Sequence, residues 1–265
     1  MSALRKPPPK LLVEERRRRI VAQVEQQGRA TVEELAARFA VSTVTVRGDL
    51  EALARAGSLV RSHGGALPPS GPVTDAPLSI KAARHHDEKM RIAQAAVRMI
   101  RNGETIILDS GTTTAEIAVC IRNANFEALT VVTNALNVAM TLAGLPSVRV
   151  LMLGGMLRGT SYSMVGPDAE RALAKLTADR LFLGVDGIDP EFGVTTPDPL
   201  EAELNALMIR VSREVVAATD SSKFGRRSLS VIAPLSGLHK IVTDSGAAPE
   251  MLETLRGLGL EVIVV

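Results

Sequence analysis

A run of hydroxyl-bearing and glycine residues, Asp109-Ser110-Gly111-Thr112-Thr113-Thr114, has the composition of a phosphate-binding turn. It lies between a predicted strand over 105–108 and a predicted helix over 113–122. A strand-to-helix turn of this kind presents backbone N–H groups, hydroxyls and the positive end of the helix dipole, which together bind phosphate. An ordinary turn capped by threonine has the same composition, so the residues alone leave both interpretations open.

Further polar and glycine-rich turns follow other predicted strands. They include Gly154-Gly155, the segment 184–187 with Asp186, and Lys223 after a strand over 215–219. Loops at the carboxyl ends of strands in an open α/β sheet meet in one crevice, which favours a shared binding site. The alternatives are that Asp186 caps a turn and that Lys223 is a solvated lysine.

The charge of the chain is unevenly distributed. Residues 1–70 carry 12 Lys/Arg and 7 Asp/Glu, whereas residues 71–265 carry 19 Lys/Arg and 22 Asp/Glu. The overall net charge of +2 therefore conceals a basic first part of the chain. Such asymmetry suggests a module that binds nucleic acid or a membrane. The longest uncharged run, 128–148, contains Asn134, Asn137, Gly144 and Pro146 and is a poor membrane helix. Nucleic acid is therefore the predicted partner.

The basic part predicts a winged helix-turn-helix domain over 13–67. A helix over 14–27 is followed by a second that starts in a capping box of Thr31 and Glu34, and by a third that Ser42 caps and that ends near residue 56. A short strand over 59–61 and Gly64-Gly65 predict a hairpin wing.

The third helix has the features of a DNA-reading helix. Arg47 can bind guanine through two hydrogen bonds, and threonine methyls can contact thymine. The Ser42 hydroxyl and the helix N-terminus can hold a phosphate. The alternative is a three-helix packing module with solvated charges. The predicted DNA-binding residues are Thr31, Ser42, Thr43, Val44, Thr45, Arg47, Arg61 and His63.

The rest of the chain divides into three predicted parts. Residues 1–12 are expected to be a flexible tail, and 68–85 a linker because four prolines lie between Pro68 and Pro77. Residues 86–265 alternate strands and helices, which predicts an α/β domain with a mostly parallel sheet. The predicted strands are 105–108, 129–133, 148–153, 181–185, 215–219, 230–233, 240–243 and 261–265.

Composition excludes several classes of protein. Five Phe, one Tyr and no Trp argue against single-strand RNA modules and lectins, which stack bases or sugars on aromatic rings. The single Cys120 allows neither an internal disulfide nor a cysteine-rich zinc site and fits a reducing cytoplasm. His85-His86 has no partner at metal-ligand spacing, so no metal or cofactor is expected. Cys120 is expected to be a small buried hydrophobe.

The first domain resembles the DeoR family of bacterial repressors. The similarity rests on E-E-L-A-A-R-F-A-V-S-T-V-T-V-R-G-D-L over 33–50 and on L-V-R-S-H-G-G-A-L over 59–67. Gly48 departs from the pattern, since many relatives carry a second arginine there. Glycine inside a helix costs about 1 kcal/mol relative to alanine, and operator affinity is expected to differ.

The second domain, over 89–265, resembles the DeoR effector domain, which is similar to ribose-5-phosphate isomerase and the CoA-transferase-like fold. The shared strings are I-L-D-S-G-T-T, T-N, G-G-x-x-R, G-V-D-G, E-A and T-D-S-S-K-F. The resemblance implies that Asp109 to Thr114 and Lys223 contact a phosphosugar, with Asp186, Glu201 and Arg158 as hydroxyl or charge partners. The predicted effector-binding residues are Asp109, Ser110, Gly111, Thr112, Thr113, Thr114, Asn134, Gly154, Gly155, Arg158, Asp186, Gly187, Glu201 and Lys223.

Three functions follow as hypotheses. The first is a cytoplasmic repressor of a sugar or amino-sugar operon, most similar within the family to the N-acetylgalactosamine-operon repressors. It would bind a double-stranded DNA operator as a homodimer or homotetramer and be released by a phosphorylated sugar, with no catalytic residue. The second is a sugar-phosphate isomerase with a DNA-binding appendage, in which Asp186, Glu201 and Lys223 handle protons. The third, a sequence-neutral nucleoid protein, leaves the phosphate crevice unexplained.

Overall fold

The computed structural model describes residues 12–27, 29–55, 58–62, 64–67 and 76–265. They form two compact units, one within 1–71 and one within 72–265. The predicted tail up to residue 11, His63 and the proline-rich segment 68–75 lie outside the described residues.

The first unit has the helices and the hairpin that the sequence predicts. Its elements are α1 (Val13–Gln27), β1 (Ala30–Thr31), α2 (Val32–Phe39), α3 (Thr43–Arg55), β2 (Val60–Ser62) and β3 (Gly65–Leu67). The sequence does not predict β1, a two-residue strand that pairs antiparallel with β3, which in turn pairs with β2. Two residues are too few for a period-2 pattern to be visible.

Local hydrogen bonds fix the starts of α2 and α3. The Glu34 N–H donates to Thr31 Oγ1 at 3.2 Å and the Thr31 N–H donates to Glu34 Oε2 at 2.8 Å, which is a complete capping box. The Thr45 N–H donates to Ser42 Oγ at 3.1 Å. The apolar faces of the three helices then meet in a core of Ile20, Val24, Val32, Leu35, Val46, Leu50 and Leu53.

A buried ion pair joins the first helix to the third. Arg16 Nε lies 2.6 Å from Asp49 Oδ2, and Arg17 Nε lies 2.9 Å from Asp49 Oδ1. Asp49 is 3% exposed and Arg16 8%, so removal of Asp49 leaves Arg16 as a buried charge, at a typical cost of about 3–5 kcal/mol. Removal of Arg16 leaves Asp49 paired with Arg17.

The second unit is a three-layer α/β domain. Its elements are α4 (Leu78–Ala83), α5 (His86–Val97), β4 (Thr105–Leu108), α6 (Thr112–Arg122), β5 (Leu129–Thr133), α7 (Leu136–Leu142), β6 (Val148–Met152), β7 (Met156–Arg158), β8 (Ser163–Val165), α8 (Pro167–Leu173), β9 (Ala178–Leu183), β10 (Gly187–Asp189), β11 (Gly193–Thr196), α9 (Pro199–Val211), β12 (Ser212–Ala218), β13 (Ser230–Ala233), β14 (Lys240–Thr243), α10 (Pro249–Gly257) and β15 (Glu261–Val264).

Seven strands form one sheet in the order β15-β14-β12-β9-β4-β5-β6, and every neighbouring pair is parallel. Side chains along β4 alternate between the two cores, because Ile107 packs on the face of α9 and α10 while Ile106 and Leu108 pack on the face of α5, α6 and α7. The parallel α/β fold is therefore confirmed. Within the described residues, no helix is long and apolar enough to cross a bilayer.

Three features differ from the sequence predictions. The strand over 230–233 is not in the main sheet: β13 pairs with β11 in a small antiparallel sheet that includes β10. The segments β7 and β8 form a further hairpin that was not predicted. Cys120 is half-buried instead of fully buried. Short strands next to glycine turns lack the apolar runs that mark the central strands.

The predicted linker over 68–85 extends too far along the chain. Leu78–Ala83 form α4, Leu78 is buried, and its N–H donates to the Thr160 carbonyl at 2.8 Å. The run of prolines ends at Pro77, which is the N-cap of this helix. The six residues that follow Pro77 contain neither proline nor glycine. Residues 76–85 therefore belong to the second unit.

Candidate functional site

The loops after three neighbouring strands of the main sheet line one cleft. These strands are β4, β9 and β12, and their following segments are 109–113, 184–186 and 219–223. The space between these loops, including the part open to solvent, is about 590 Å³. The cleft is lined by Ala76, Leu78, Lys81, Asp109, Ser110, Gly111, Thr112, Thr113, Thr160, Ser161, Gly184, Val185, Asp186, Thr196, Glu201, Asn205, Thr219, Asp220 and Lys223.

Asp109 organises the loop that contains it. Its Oδ1 accepts hydrogen bonds from the Gly111 N–H at 3.0 Å and the Thr114 hydroxyl at 2.8 Å, and its Oδ2 accepts from the Gly184 N–H at 2.8 Å. Burial raises the pKa of this carboxyl to about 7, although these three hydrogen bonds lower it. Asp109 thus joins two loops of the cleft, and both of its oxygens already have donors.

Two glycines allow the same loops to approach closely. A Cβ placed on Gly184 would lie 3.1 Å from the Gly111 Cα and 3.3 Å from both carboxylate oxygens of Asp109. Contacts of this length are tighter than nine in ten real Cβ contacts, so a side chain at either glycine would require the loop after β4 and the loop after β9 to move apart by a few tenths of an ångström.

The N-terminus of α6 opens into the cleft. The Ala115 N–H is bonded to the Gly111 carbonyl, whereas the N–H groups of the residues before it have no partner within the helix. Thr112 and Thr113 line the cleft, but the Thr114 hydroxyl points away from it and donates to Asp109 and to the Gly111 carbonyl. The loop can therefore bind an anion through N–H groups and the hydroxyls before Thr114.

Two lysines and two carboxylates, Lys81, Lys223, Asp186 and Asp220, also line the cleft. Lys81 Nζ lies 3.0 Å and Lys223 Nζ 3.9 Å from Asp186 Oδ1. Burial disfavours the charge of Asp220, but Lys223 and Lys89 outweigh it and hold the pKa of Asp220 below its ordinary value. Burial lowers the pKa of the Lys89 ammonium to about 8, and this ammonium donates to the Lys81 and Arg84 carbonyls at 2.5 Å each.

Glu201 is held by a network of its own. Its Oε1 pairs with Arg158 and accepts from the Ser163 hydroxyl at 2.9 Å and from the Ser110 hydroxyl at 3.5 Å, while its Oε2 accepts from Thr196 at 3.3 Å. Arg158 does not itself line the cleft; it also lies 3.2 Å from Asp198 Oδ2, the side chain that caps α9.

Several of the predicted effector-binding residues come together, and several do not. Those that line the cleft are Asp109, Ser110, Gly111, Thr112, Thr113, Asp186, Glu201 and Lys223. Asn134, Gly154, Gly155 and Gly187 are not among the lining residues. Asn134 is buried and donates to the Met164 carbonyl, and a Cβ on Gly155 or Gly187 would lie 2.6 Å or less from backbone oxygen. Gly155 and Gly187 thus lie where two chain segments approach closely, whereas Gly154 is exposed with open space around it.

Sequence reasoning missed seven polar residues of the cleft: Lys81, Thr160, Ser161, Thr196, Asn205, Thr219 and Asp220. Lys81 lies in the segment predicted as a linker, and Asn205 lies one helical turn after Glu201 on α9. Thr219 and Asp220 had a signal, since both are part of the string T-D-S-S-K-F. His86 also has an acidic neighbour that its sequence spacing could not show, Glu116 at 3.5 Å.

The predicted DNA-reading residues cluster on the start of α3 and on the wing. Val44 is 72% exposed, and Arg47 and Gly48 are exposed as well. Arg61 Nη1 of β2 donates to the Arg47 carbonyl at 3.4 Å, which places the wing beside α3. The Thr31 hydroxyl, by contrast, already accepts the α2 capping bond.

Comparison with known proteins agrees with both domains. Residues 16–70 match the DeoR-like helix-turn-helix domain, and residues 84–245 match the DeoR C-terminal sensor domain. A putative aga operon transcriptional repressor of Escherichia coli O157:H7 is 43% identical over 93% of this chain and 91% of its own. The glycerol-3-phosphate regulon repressor of Escherichia coli K12 is 34% identical over 89% and 92%.

Among solved structures, ribose 5-phosphate isomerase A from Neisseria gonorrhoeae is 17% identical, with a TM-score of 0.40 over 53% of this chain and 55% of that chain. A similarity of this size supports no statement about activity. The relatives with high coverage are named as transcriptional regulators and repressors, which supports a regulator and not the isomerase alternative. The chain therefore belongs to the DeoR family of transcriptional regulators, with a DNA-binding helix-turn-helix domain followed by a sensor domain.

Proposed function

We propose that this regulator represses a sugar or amino-sugar operon in the cytoplasm and leaves its operator when a phosphorylated sugar binds the cleft of the second unit. The observation that carries the proposal is the cleft itself, where the hydroxyl-rich start of α6 lies in one cavity with Lys81 and Lys223. The aga and glycerol-3-phosphate repressors among its relatives support the same class of effector.

The charges of the cleft suit a phosphate. Lys81 and Lys223 lie beside Asp186, and Lys89 and Lys223 together hold the pKa of Asp220 below its ordinary value. A phosphate at the start of α6 would meet Lys81 and Lys223 together with the N-terminal dipole of that helix. A phosphate monoester carries a charge of −1.5 to −2 near neutral pH and would complete this arrangement.

The DNA contact follows from the exposed start of α3. Arg47 would bind guanine, Val44 and the threonine methyls would contact thymine, and the Ser42 end of the helix would hold a backbone phosphate. Arg61 would reach the backbone or minor groove from the wing, where His63 would act with it. A homodimer or homotetramer would place two such helices in major grooves about 10 base pairs apart or a multiple of that spacing.

A route from effector to operator starts at α4. This helix follows the segment 68–75, and its Lys81 is bonded to Asp186 inside the cleft. A bound phosphate competes with Asp186 for Lys81 and so weakens the ion pair that ties α4 to the loop after β9. The effector releases DNA to the extent that it binds more tightly to the form that cannot bind the operator.

The experiment is a titration of fluorescent duplex DNA with the full chain, using palindromes selected from a random library and a scrambled duplex as control. Repression predicts tight binding to the palindrome and loss of binding when a phosphosugar from a panel is added. Binding that does not distinguish the two duplexes would favour the nucleoid alternative, and turnover of a phosphosugar would favour the isomerase.

A further inference from the structure

A carboxamide whose oxygen is unpaired lies in the wall of the cleft. Asn205 is 4% exposed, lines the cavity, and its Oδ1 is buried without a hydrogen-bond partner. Buried polar atoms in folded proteins nearly always have partners, and one left without a partner carries the full cost of its desolvation. A group that the protein leaves unsatisfied inside a binding cavity is available to a ligand.

The position of Asn205 relative to the anion-binding loop is set by α9. Glu201 and Asn205 are four residues apart and therefore lie on one face of the helix, about 6 Å apart along its axis. Glu201 is in contact with the loop through Ser110, at 3.5 Å. Asn205 therefore lies about one helical turn from the loop, within reach of the ring of a sugar whose phosphate occupies the loop.

The chemistry that Asn205 would select is that of an uncharged group. Two acidic side chains of the cleft already have cationic neighbours: Glu201 pairs with Arg158, and Asp186 pairs with Lys81 and Lys223. An ammonium group on the ligand would compete with these cations, and with the three hydrogen bonds that Asp109 accepts, for a carboxylate. A carboxamide, by contrast, accepts from and donates to hydroxyls and amides.

We infer that Asn205 is a specificity-determining residue of the effector site and reads a hydroxyl or acylamino substituent of the phosphosugar in preference to a free amine. The inference rests on the proposed function, because it takes the cleft as the effector site. It goes beyond that function by naming the residue that distinguishes one phosphosugar from another and the chemical class that it accepts.

The test compares Asn205→Leu with Asn137→Leu in the full chain. Asn137 on α7 also has a buried, unpartnered Oδ1, but it does not line the cleft, so it is a matched control. The probes are inorganic phosphate and hexose 6-phosphates with a hydroxyl, an acetamido or an amino group at carbon 2, titrated by calorimetry.

Wild-type protein is expected to bind the hydroxyl or acetamido sugar more tightly than the amino sugar. Asn205→Leu should raise the Kd of the preferred sugar about ten-fold or more. It should leave the Kd of inorganic phosphate unchanged and should not lower the thermal midpoint of the free protein. Asn137→Leu should change none of these affinities. Asn205→Asp keeps the size of the side chain and adds an unmatched carboxylate, so it should shift preference toward the amino sugar.

Two results would overturn the inference. One is that Asn205→Leu keeps the wild-type ranking of affinities for the three sugars. The other is that Asn205→Leu loses affinity for inorganic phosphate and for the sugars to the same degree, which would indicate a purely structural role. A wild-type chain that binds none of the phosphosugars would instead contradict the proposed function, so the two failures are distinguishable.

Discussion

The ammonium nitrogen of Lys81 lies 3.0 Å from one carboxylate oxygen of Asp186 and 3.1 Å from the other, which ties α4 to the loop after β9. Their side chains are 17% and 15% exposed, so solvent screens this pair less than it screens a surface ion pair. The pair links the segment that leads back toward the DNA-binding domain to the wall of the cleft.

Replacement of Lys81 by methionine should weaken phosphosugar binding about ten-fold or more, because it removes a cation from the cleft and leaves Asp186 to repel the phosphate. Affinity for the operator should also fall, because the proposed route from effector to operator starts with the loss of the same Lys81–Asp186 pair. Calorimetry with the phosphosugar and anisotropy with operator DNA measure the two quantities separately. Lys175→Met, at an exposed lysine after α8, is the control. Equal affinity for the phosphosugar in Lys81→Met and in the control variant would show that Lys81 does not contribute to the effector site.

Arg47→Ala should reduce operator affinity by roughly 1–3 kcal/mol, the value of a good base-specific contact. Effector affinity should be unchanged. Arg55→Ala removes the same charge from the same helix, at an exposed residue paired with Glu51 near its other end, and should cost less. Anisotropy with specific and scrambled duplexes gives the comparison, and an equal loss in both variants would indicate that Arg47 contributes only its charge.

The stability of the protein should depend on the protonation of Asp109. Its pKa is raised from 3.8 to about 7 by burial. The stability that this carboxyl contributes is therefore complete below its unfolded pKa and is lost as the pH rises through about 7. Between these values the slope of the unfolding free energy should be more negative in wild type than in Asp109→Asn, by up to about 1.4 kcal/mol per pH unit. Urea denaturation at several pH values gives both slopes, and parallel curves would contradict the assignment.

Gly48→Ala should stabilise the first unit by up to about 1 kcal/mol, because alanine is the better helix former. A Cβ at this position meets nothing within 4 Å, and the residue is exposed. Chemical denaturation followed by helical circular dichroism measures the change. A loss of stability would show that the structure requires glycine at position 48, although its open surroundings give no sign of this.

What the sequence predicts well is local. The capping box of Thr31 and Glu34 and the Ser42 cap each depend on residues three apart, and the central strands are apolar runs that need no partner to be seen. The loop after β4 is predicted for the same reason, since its glycine and hydroxyls follow the strand directly.

What the sequence does not predict depends on contacts between distant residues. Lys81 and Asp186 are 105 residues apart, and prolines near α4 suggest a linker. Asp109 looks like a ligand contact, but its partner Gly184 is 75 residues away, and only the fold shows that the carboxylate joins two loops. Asn205 has an ordinary helical context, so its missing partner is visible only in three dimensions.

The wall segments of the cleft follow β4, β9 and β12, and the last of them ends at Lys223. A growing polypeptide therefore has the whole helix-turn-helix segment, 12–67, some 150 residues before it can complete a cavity for the effector. Domains generally fold from the N-terminus during synthesis. A chain interrupted before β12 would contain the DNA-reading segment but would lack the residues, up to Lys223, that complete the cleft.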